Sequence, residues 1–531
     1  MEPTAEALLV AASTALRAGR HAEAREHAAR AVALHPRHPR AWLAHAEIER
    51  SHGQLVAAHG ALIRSLTLAP DYFDAAFMLA VVDDELGDAG RALDMLRRLH
   101  AARPDDPKVA ATLANTLERA GDADAAAAIV ADARRTWPQD ADLNLAAGRL
   151  ARQRGELEQA AAALELAVAL GDDGVIALAR RELGWLHDAR GEHAAAVVDF
   201  KASNQRERTR WQARNPGPNP WLERLATMRA LQTPGWYRSF AALPVPAPLP
   251  FRPAFLVGFP RSGTTLLEQV IGAHPDCATL EERPPIKRAL RSLEALPGGY
   301  PSALAALSVT ARDEIRGEYA ALVHDALGAT PALVLDKFPL RSADLAALAR
   351  LFPEARFLFA ERDPRDVVLS CWMNGFRLNH EMACFTELAD TVAMYDAVLS
   401  LWQGAERALM PAVHRVRYER LLDGFDAEIG TTLAHLGLDW HDAVRDWSAQ
   451  ARRRNIRTPS FAAVRGALHH GARERWRNYA DLLEPHRAAL APWVATLGYG
   501  SEAPCNRQQQ GSRGRWRARV RRTRRGTSPA R

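Results

Sequence analysis

The stretch FLVGFPRSGTTLLEQ, residues 255–269, holds the densest chemistry in the chain. Gly258 and Gly263 have four residues between them, the spacing of a phosphate-binding loop. Such a loop cradles phosphate oxygens on backbone N–H groups and opens a helix whose N-terminus favours anions. An ATP-binding loop would next carry the lysine that reaches the β/γ-phosphates; here that position is Thr264, and Thr265 takes the place of the magnesium-binding hydroxyl. The ligand must therefore be a phosphate without that lysine's target, and the positive charge must come from elsewhere. Arg261, beside Ser262 in the loop, is the first source. Lys337, Arg362 and Tyr418 each lie at, or just past, the end of a short apolar run.

These residues need a scaffold that gathers them. Strands are expected at 254–259, 332–337, 356–361 and 413–418, alternating with helical stretches. Continuous apolar strands of this kind predict a parallel sheet covered on both faces. Ligands of open α/β sheets bind outside the carboxyl ends of the strands. Arg261, Lys337, Arg362 and Tyr418 would all meet there.

The first 205 residues keep a different rhythm. Glycines recur at 19, 53, 87, 121 and 155, alanines at 24, 58, 92, 126 and 160, and prolines at 36, 70, 104 and 138. A sixth unit follows at Gly191 and Ala196. Glycine permits the tight turn between antiparallel helices, alanine their close approach, and proline ends the unit. The 34-residue period is that of tetratricopeptide (TPR) repeats, about six of them at 1–205. Such arrays bind peptide or protein segments on a concave face, which implies a protein partner and no chemistry. Proline density then predicts a linker over 206–250, with a helix at 222–231, before a domain at 251–499.

The net charge of +6 is carried by a tail: ten arginines and no acidic residue follow Asn506, and without them residues 1–505 carry −4. Residues 500–531 read as a disordered, solvated Arg-rich tail, and a nucleic-acid role is not expected of it. The four cysteines show no paired spacing. No apolar run approaches the ~18–20 residues of a membrane span, and the first residues lack a cationic leader. A cytoplasmic protein is expected.

VGFPRSGTTLLEQVIGAHP resembles the 5′-phosphosulfate loop of sulfotransferases that use 3′-phosphoadenosine 5′-phosphosulfate (PAPS), and FLFAERDPRDVVLSCW resembles their 3′-phosphate motif. LDKFP and VRYERLL also have counterparts there. Residues 251–499 as a whole are similar to bacterial TPR-containing sulfotransferases and more distantly resemble protein-tyrosine sulfotransferases. The resemblance implies an all-α TPR superhelix followed by an α/β, P-loop-like sulfotransferase domain with a parallel sheet.

It also implies roles. Arg261, Ser262, Gly263, Thr264 and Thr265 would hold the 5′-phosphosulfate, and Arg362 and Ser370 the 3′-phosphate. Tyr418 belongs to the nucleotide-binding set. Lys337 would contact the transferring group, and Glu282, with the offset of the family's base, would be catalytic beside Lys337 and Arg261. TPSFAAVRG…RERW resembles a late nucleotide clamp, with Ser460 and Arg475 at its matched positions. TLEERPP departs from the family by placing Leu280 where a glycine is usual, which leaves Glu281 and Glu282 as alternatives for the base.

PAPS has no β/γ-phosphate pair and its transfer needs no metal, which accounts for the missing lysine. The expected activity is sulfuryl transfer to a hydroxyl acceptor, with a protein or peptide favoured and the repeats recruiting acceptor or partner. The competing readings are a P-loop kinase or NTPase, against which the missing lysine speaks, and a non-catalytic TPR scaffold that binds nucleotide without turnover.

Overall fold

The computed structural model describes residues 3–282, 284–448 and 470–500. Its first part is six antiparallel helix pairs: α1 (Ala5–Arg17) with α2 (His21–Leu34), α3 (Pro39–Ser51) with α4 (Leu55–Leu68), α5 (Phe73–Leu86) with α6 (Ala89–Ala102), α7 (Pro107–Ala120) with α8 (Ala123–Thr136), α9 (Ala141–Gln153) with α10 (Leu157–Leu170), and α11 (Asp173–Arg190) with α12 (His193–Arg214). The recurring glycines occupy the turn inside each pair at φ between 72° and 96°, a conformation other residues adopt at a cost. Each recurring alanine, from Ala24 to Ala196, is 0% exposed, because a larger side chain there would force the paired helices apart. Asp88, Asp106, Asp122, Asp140 and Asp172 cap their helices by accepting backbone N–H groups of the first turn.

The stretch 206–250, expected as a Pro-rich linker, is largely helical and packed. α12 runs on to Arg214, and α13 (Pro220–Leu231) and α14 (Pro234–Arg238) follow. Pro220 and Pro234 sit in the first turn of their helices, where the missing N–H costs nothing. Trp221, Leu225 and Met228 join the same apolar core as the second domain.

That domain is a five-stranded, all-parallel sheet in the order β2-β3-β1-β4-β5. The strands are β1 (Arg252–Gly258), β2 (Cys277–Glu281), β3 (Leu333–Lys337), β4 (Arg356–Glu361) and β5 (Ala412–Arg417). Four match the expected runs, with Tyr418 one residue beyond β5. β2, at the sheet's edge, was not expected. One face packs Phe255, Phe357 and Phe359 against α16 (Pro284–Glu294), α17 (Val309–Leu327), α18 (Leu345–Leu351), α19 (Pro364–Met373) and α20 (Leu388–Leu409). The other packs Leu256, Leu335 and Leu358 against α15 (Thr264–Ile271), α21 (Tyr418–Asp423) and α22 (Phe425–Leu436). The chain leaves β1 toward β2 on one side and β4 toward β5 on the other. Strand order therefore reverses between β1 and β4, and a crevice opens beyond their carboxyl ends.

The repeats are fastened to this domain. Phe200 of α12 meets Trp372 of α19 edge-on, ring centroids 5.9 Å apart, and the Asn204 amide donates to the Trp372 carbonyl at 2.9 Å. Arg208 pairs with Asp390 at 3.0 Å. The first helices of successive units touch along the array, so the stack curves toward them. On that side Arg377 of the second domain reaches Glu85 of α5 at 3.5 Å. Among the described residues no helix is long and apolar enough to cross a membrane.

Candidate active site

The loop between β1 and α15 fills the crevice. Gly258 lies at φ 153°, and a Cβ there would stand 2.8 Å from the Ala360 carbonyl oxygen of β4. The Ser342 hydroxyl accepts from the Gly258 N–H at 2.8 Å and donates to the Gly258 carbonyl at 2.6 Å, fixing the strand end. Arg261 takes φ 71° and Gly263 φ 100°, turning the chain so that the helix opens at Thr264. Thr264 and Thr265 are both buried in its first turn. Ser262 faces inward: its hydroxyl donates to the Phe259 carbonyl at 2.7 Å and shapes the loop.

Two guanidinium groups converge here. Arg261 Nε donates to the Ser370 hydroxyl of α19 at 3.1 Å. Burial, and after it the nearby Arg362 and Arg475 charges, pulls the Arg261 pKa down to about 10. Arg362, directly after β4, donates to the Arg261 carbonyl at 3.1 Å and lies over the Tyr418 ring, 5.1 Å from its centroid. That ring in turn sits against Gly263, where a Cβ would come within 3.0 Å of Tyr418 Cδ2. The Nε of Arg362 is buried and has no hydrogen-bond partner among the described residues.

Arg362 also donates to the Ala472 carbonyl at 2.5 Å, bringing the late segment over the crevice. Asp366 of α19 holds that segment by accepting the Glu474 and Trp476 N–H groups, each at 2.8 Å. Arg475 lies over the Trp185 ring of the sixth repeat at 5.3 Å, with Asp188 at 3.9 Å. The Tyr479 hydroxyl donates to the same Asp188 at 2.6 Å. The last repeat thus forms part of the wall around this end of the site.

On the other side of the loop stands Lys337, the last residue of β3 and 0% exposed. Its Nζ is 3.0 Å from Glu282, 3.3 Å from Glu268 and 3.7 Å from Glu281. Burial opposes its charge, but these carboxylates outweigh burial and raise its pKa well above the ordinary range. Glu281 closes β2 directly across from Lys337 in the ladder. Glu282 follows at φ 50°, its N–H donating to the Lys337 carbonyl at 2.9 Å. The Glu282 side chain is 38% exposed and that of Glu281 16%.

The structure therefore brings together Arg261, Ser262, Gly263, Thr264, Thr265, Arg362, Ser370 and Tyr418 around one crevice, with Lys337 and Glu282 beside it and Arg475 at its rim. Ser460 and the tail from 501 lie outside the described residues. Sequence reasoning missed Ser342, Asp366 and Glu268. Glu268 alone carried a signal, a charge within the largely apolar helical stretch LLEQVI. Among the described residues no group of His, Cys, Asp and Glu is placed to hold a metal ion.

Beside Lys337, on the opposite face of β3, Asp336 is buried against Phe255 and Tyr319, and the Tyr319 hydroxyl donates to it at 3.2 Å. Burial raises its pKa to about 7. The protonated form is favoured in the fold, so the stability it contributes is complete below its unfolded-state pKa and is lost as pH rises toward 7. Melting curves of wild type and Asp336→Asn should diverge in this sense, wild type losing more stability from pH 4 to 8. Parallel curves would refute the assignment.

Comparison with known proteins bears on the same residues. The sulfotransferase family matches residues 253–442, and tetratricopeptide repeat families match 5–48 and 49–116. An uncharacterized protein of Aquifex aeolicus is 26% identical over 246 residues, covering 44% of this chain and 31% of its own. Protein-tyrosine sulfotransferase 2 of Gallus gallus is 30% identical over 213 residues, covering 36% of this chain and 52% of its own. This chain thus spans about half or less of the length of those two relatives. Protein-tyrosine sulfotransferase 1 of Danio rerio is 30% identical over 265 residues, covering 47% of this chain and 72% of its own. The family match spans the loop, the carboxylate–lysine cluster and the Arg362–Ser370 segment alike, and on that coverage the chain belongs to the sulfotransferase family, with TPR repeats ahead of the family domain.

Proposed function

We propose that the chain transfers a sulfuryl group from PAPS to a hydroxyl acceptor, and that the acceptor is a tyrosine of a protein or peptide. The observation that carries the reading is the Glu282–Lys337 pair, a base and a cation 3.0 Å apart at the mouth of a phosphate loop. The residues suit the co-substrate: the loop and α15 offer backbone donors to one anionic group, and the Arg362 Nε, without a hydrogen-bond partner among the described residues, offers a donor to a second. When bound, PAPS supplies the sulfuryl group, whose bond to the 5′-phosphate oxygen breaks as the acceptor oxygen bonds to sulfur, the electron pair leaving on that phosphate.

The chain's residues do the rest. Glu282 takes the acceptor's proton and later gives it to solvent. Lys337 and Arg261 present fixed positive charge where negative charge grows, a contribution of about 3–4 kcal/mol per donor by analogy with oxyanion holes. Arg362 and Ser370 hold the 3′-phosphate, Tyr418 and Gly263 shape the floor, and Arg475 closes the rim. The relatives named protein-tyrosine sulfotransferase support a tyrosine acceptor, and the TPR array supports delivery of that acceptor, or of a partner, as a polypeptide. The site on these residues needs no metal.

The test is incubation with ³⁵S-labelled PAPS and a panel of tyrosine peptides, oligosaccharides and phenols. Label on the peptides is expected. Binding of 3′-phosphoadenosine 5′-phosphate (PAP) without transfer to any acceptor or to cell extract would leave a nucleotide-binding scaffold instead. Arg362→Ala should weaken PAP binding at least about tenfold, the loss of one charge-assisted phosphate contact. Unchanged affinity by calorimetry would refute the 3′-phosphate assignment.

A further inference from the structure

The proposed reaction uses Glu282 and Lys337 and leaves Glu268 without a part. Glu268 lies one turn into α15, on the helix that the phosphate loop opens. It is 1% exposed among Leu266, Leu267, Val270 and Ile271, yet its carboxylate stands 3.3 Å from Lys337 Nζ. Packing of α15 on the sheet keeps this side chain from turning out to solvent.

An ammonium has three N–H donors, and Lys337 faces three carboxylates. Two come from the end of β2, Glu281 and Glu282, and Glu268 comes from beneath. With all three ionised the cluster carries more negative than positive charge, beside a loop built for an anion. An incoming phosphosulfate sharpens that conflict, so the cluster must shed negative charge or release a carboxylate. Glu282, exposed and at the strand end, is free to turn to an acceptor. Glu268 is not.

The geometry points to Glu268 as a positioning residue of the transfer site: it holds the Lys337 ammonium from the buried side, frees Glu282 to serve the acceptor, and takes up the proton that balances the arriving anion. The inference rests on the sulfotransfer reading above. Burial supports it by holding the Glu268 carboxyl above the usual carboxylate range, with Lys337 opposing and Glu281 and Glu282 reinforcing the shift.

The test compares wild type with Glu268→Gln, which keeps the shape and an acceptor for Lys337 but cannot ionise. Binding of PAP is measured by calorimetry at pH 7 in two buffers of different ionisation enthalpy, which gives the protons taken up. Wild type should take up a measurable fraction of a proton more than the variant, while PAP affinity changes by less than about threefold. Sulfate transfer should fall about tenfold or more in kcat with KM for PAPS nearly unchanged, as expected for a group acting through another. Equal proton uptake, or an unchanged kcat, would overturn the inference. If the Gln variant does not fold, Glu268→Asp, which retracts the carboxylate by one methylene, should lower kcat and retain the uptake; full activity there would overturn it equally. Wild type that neither binds PAP nor transfers sulfate would instead sink the parent reading.

Discussion

Glu282→Gln is expected to lower kcat by about 10²–10⁴ while leaving KM for PAPS and for the acceptor nearly unchanged, the cost of removing a general base. Glu281→Gln should cost far less, about threefold or under, because that group acts only through the charge it places near Lys337. The distinction comes from position. Glu281 ends β2, and its side chain lies in the sheet's pleat at 3.7 Å from Nζ. Glu282 has left the strand at φ 50° and is the more exposed of the two, closer to both Lys337 and solvent. Steady-state kinetics on the two variants with one labelled acceptor decides the matter. A large loss in Glu281→Gln with little in Glu282→Gln would move the base one residue back.

Lys337→Met is expected to abolish measurable transfer and to destabilise the fold. Removing one partner of a buried ion pair typically costs about 3–5 kcal/mol, because the remaining charge stays buried and uncompensated. Here Glu268 is the group stranded, at 1% exposure. Its carboxyl can take a proton, so the deficit should be largest near pH 8 and should shrink as pH falls toward 5, whereas a simple packing defect would not depend on pH. Lys337→Arg provides the contrast: charge retained, most stability retained, and PAP still bound, but transfer reduced because a planar fork replaces a compact ammonium. Thermal melts across pH, with PAP calorimetry on each variant, separate these effects. A pH-independent loss in Lys337→Met would show that the carboxylates do not depend on this lysine.

Much of this site is legible in the sequence. The 34-residue spacing of glycine and alanine needs only that two helices turn and touch, so it survives as a pattern in the chain. β1, β3 and β4 are apolar because they are buried, and the charges at their ends mark where they stop; β5, at the sheet's other edge, buries only Val416. β2 is different. As an edge strand of five residues, CATLE, with only Cys277 and Leu280 fully buried, it shows neither an apolar run nor a clean alternation. Glu268 left a mark in the sequence, a charge in a largely apolar helical stretch, but a helix tolerates one charged residue, and only the lysine from a distant strand explains why this one is buried. The proline density of 206–250 suggests extended chain around the expected helix at 222–231, but Pro220 and Pro234 each begin a helix, and that distinction depends on which turn a proline occupies. Asp366 acts through backbone groups of the late segment, which no side-chain pattern reveals.

α12 is at once the closing helix of the sixth repeat and a wall of the sheet's core, with Phe200 of that helix seated on Trp372. The two halves are therefore not interchangeable parts. Exchanging one array for another at residue 205, where the repeat register runs out, would cut through a continuous helix and leave Trp372 without its cover. The array and the sulfotransferase fold must then be inherited, or engineered, as a single unit of recombination.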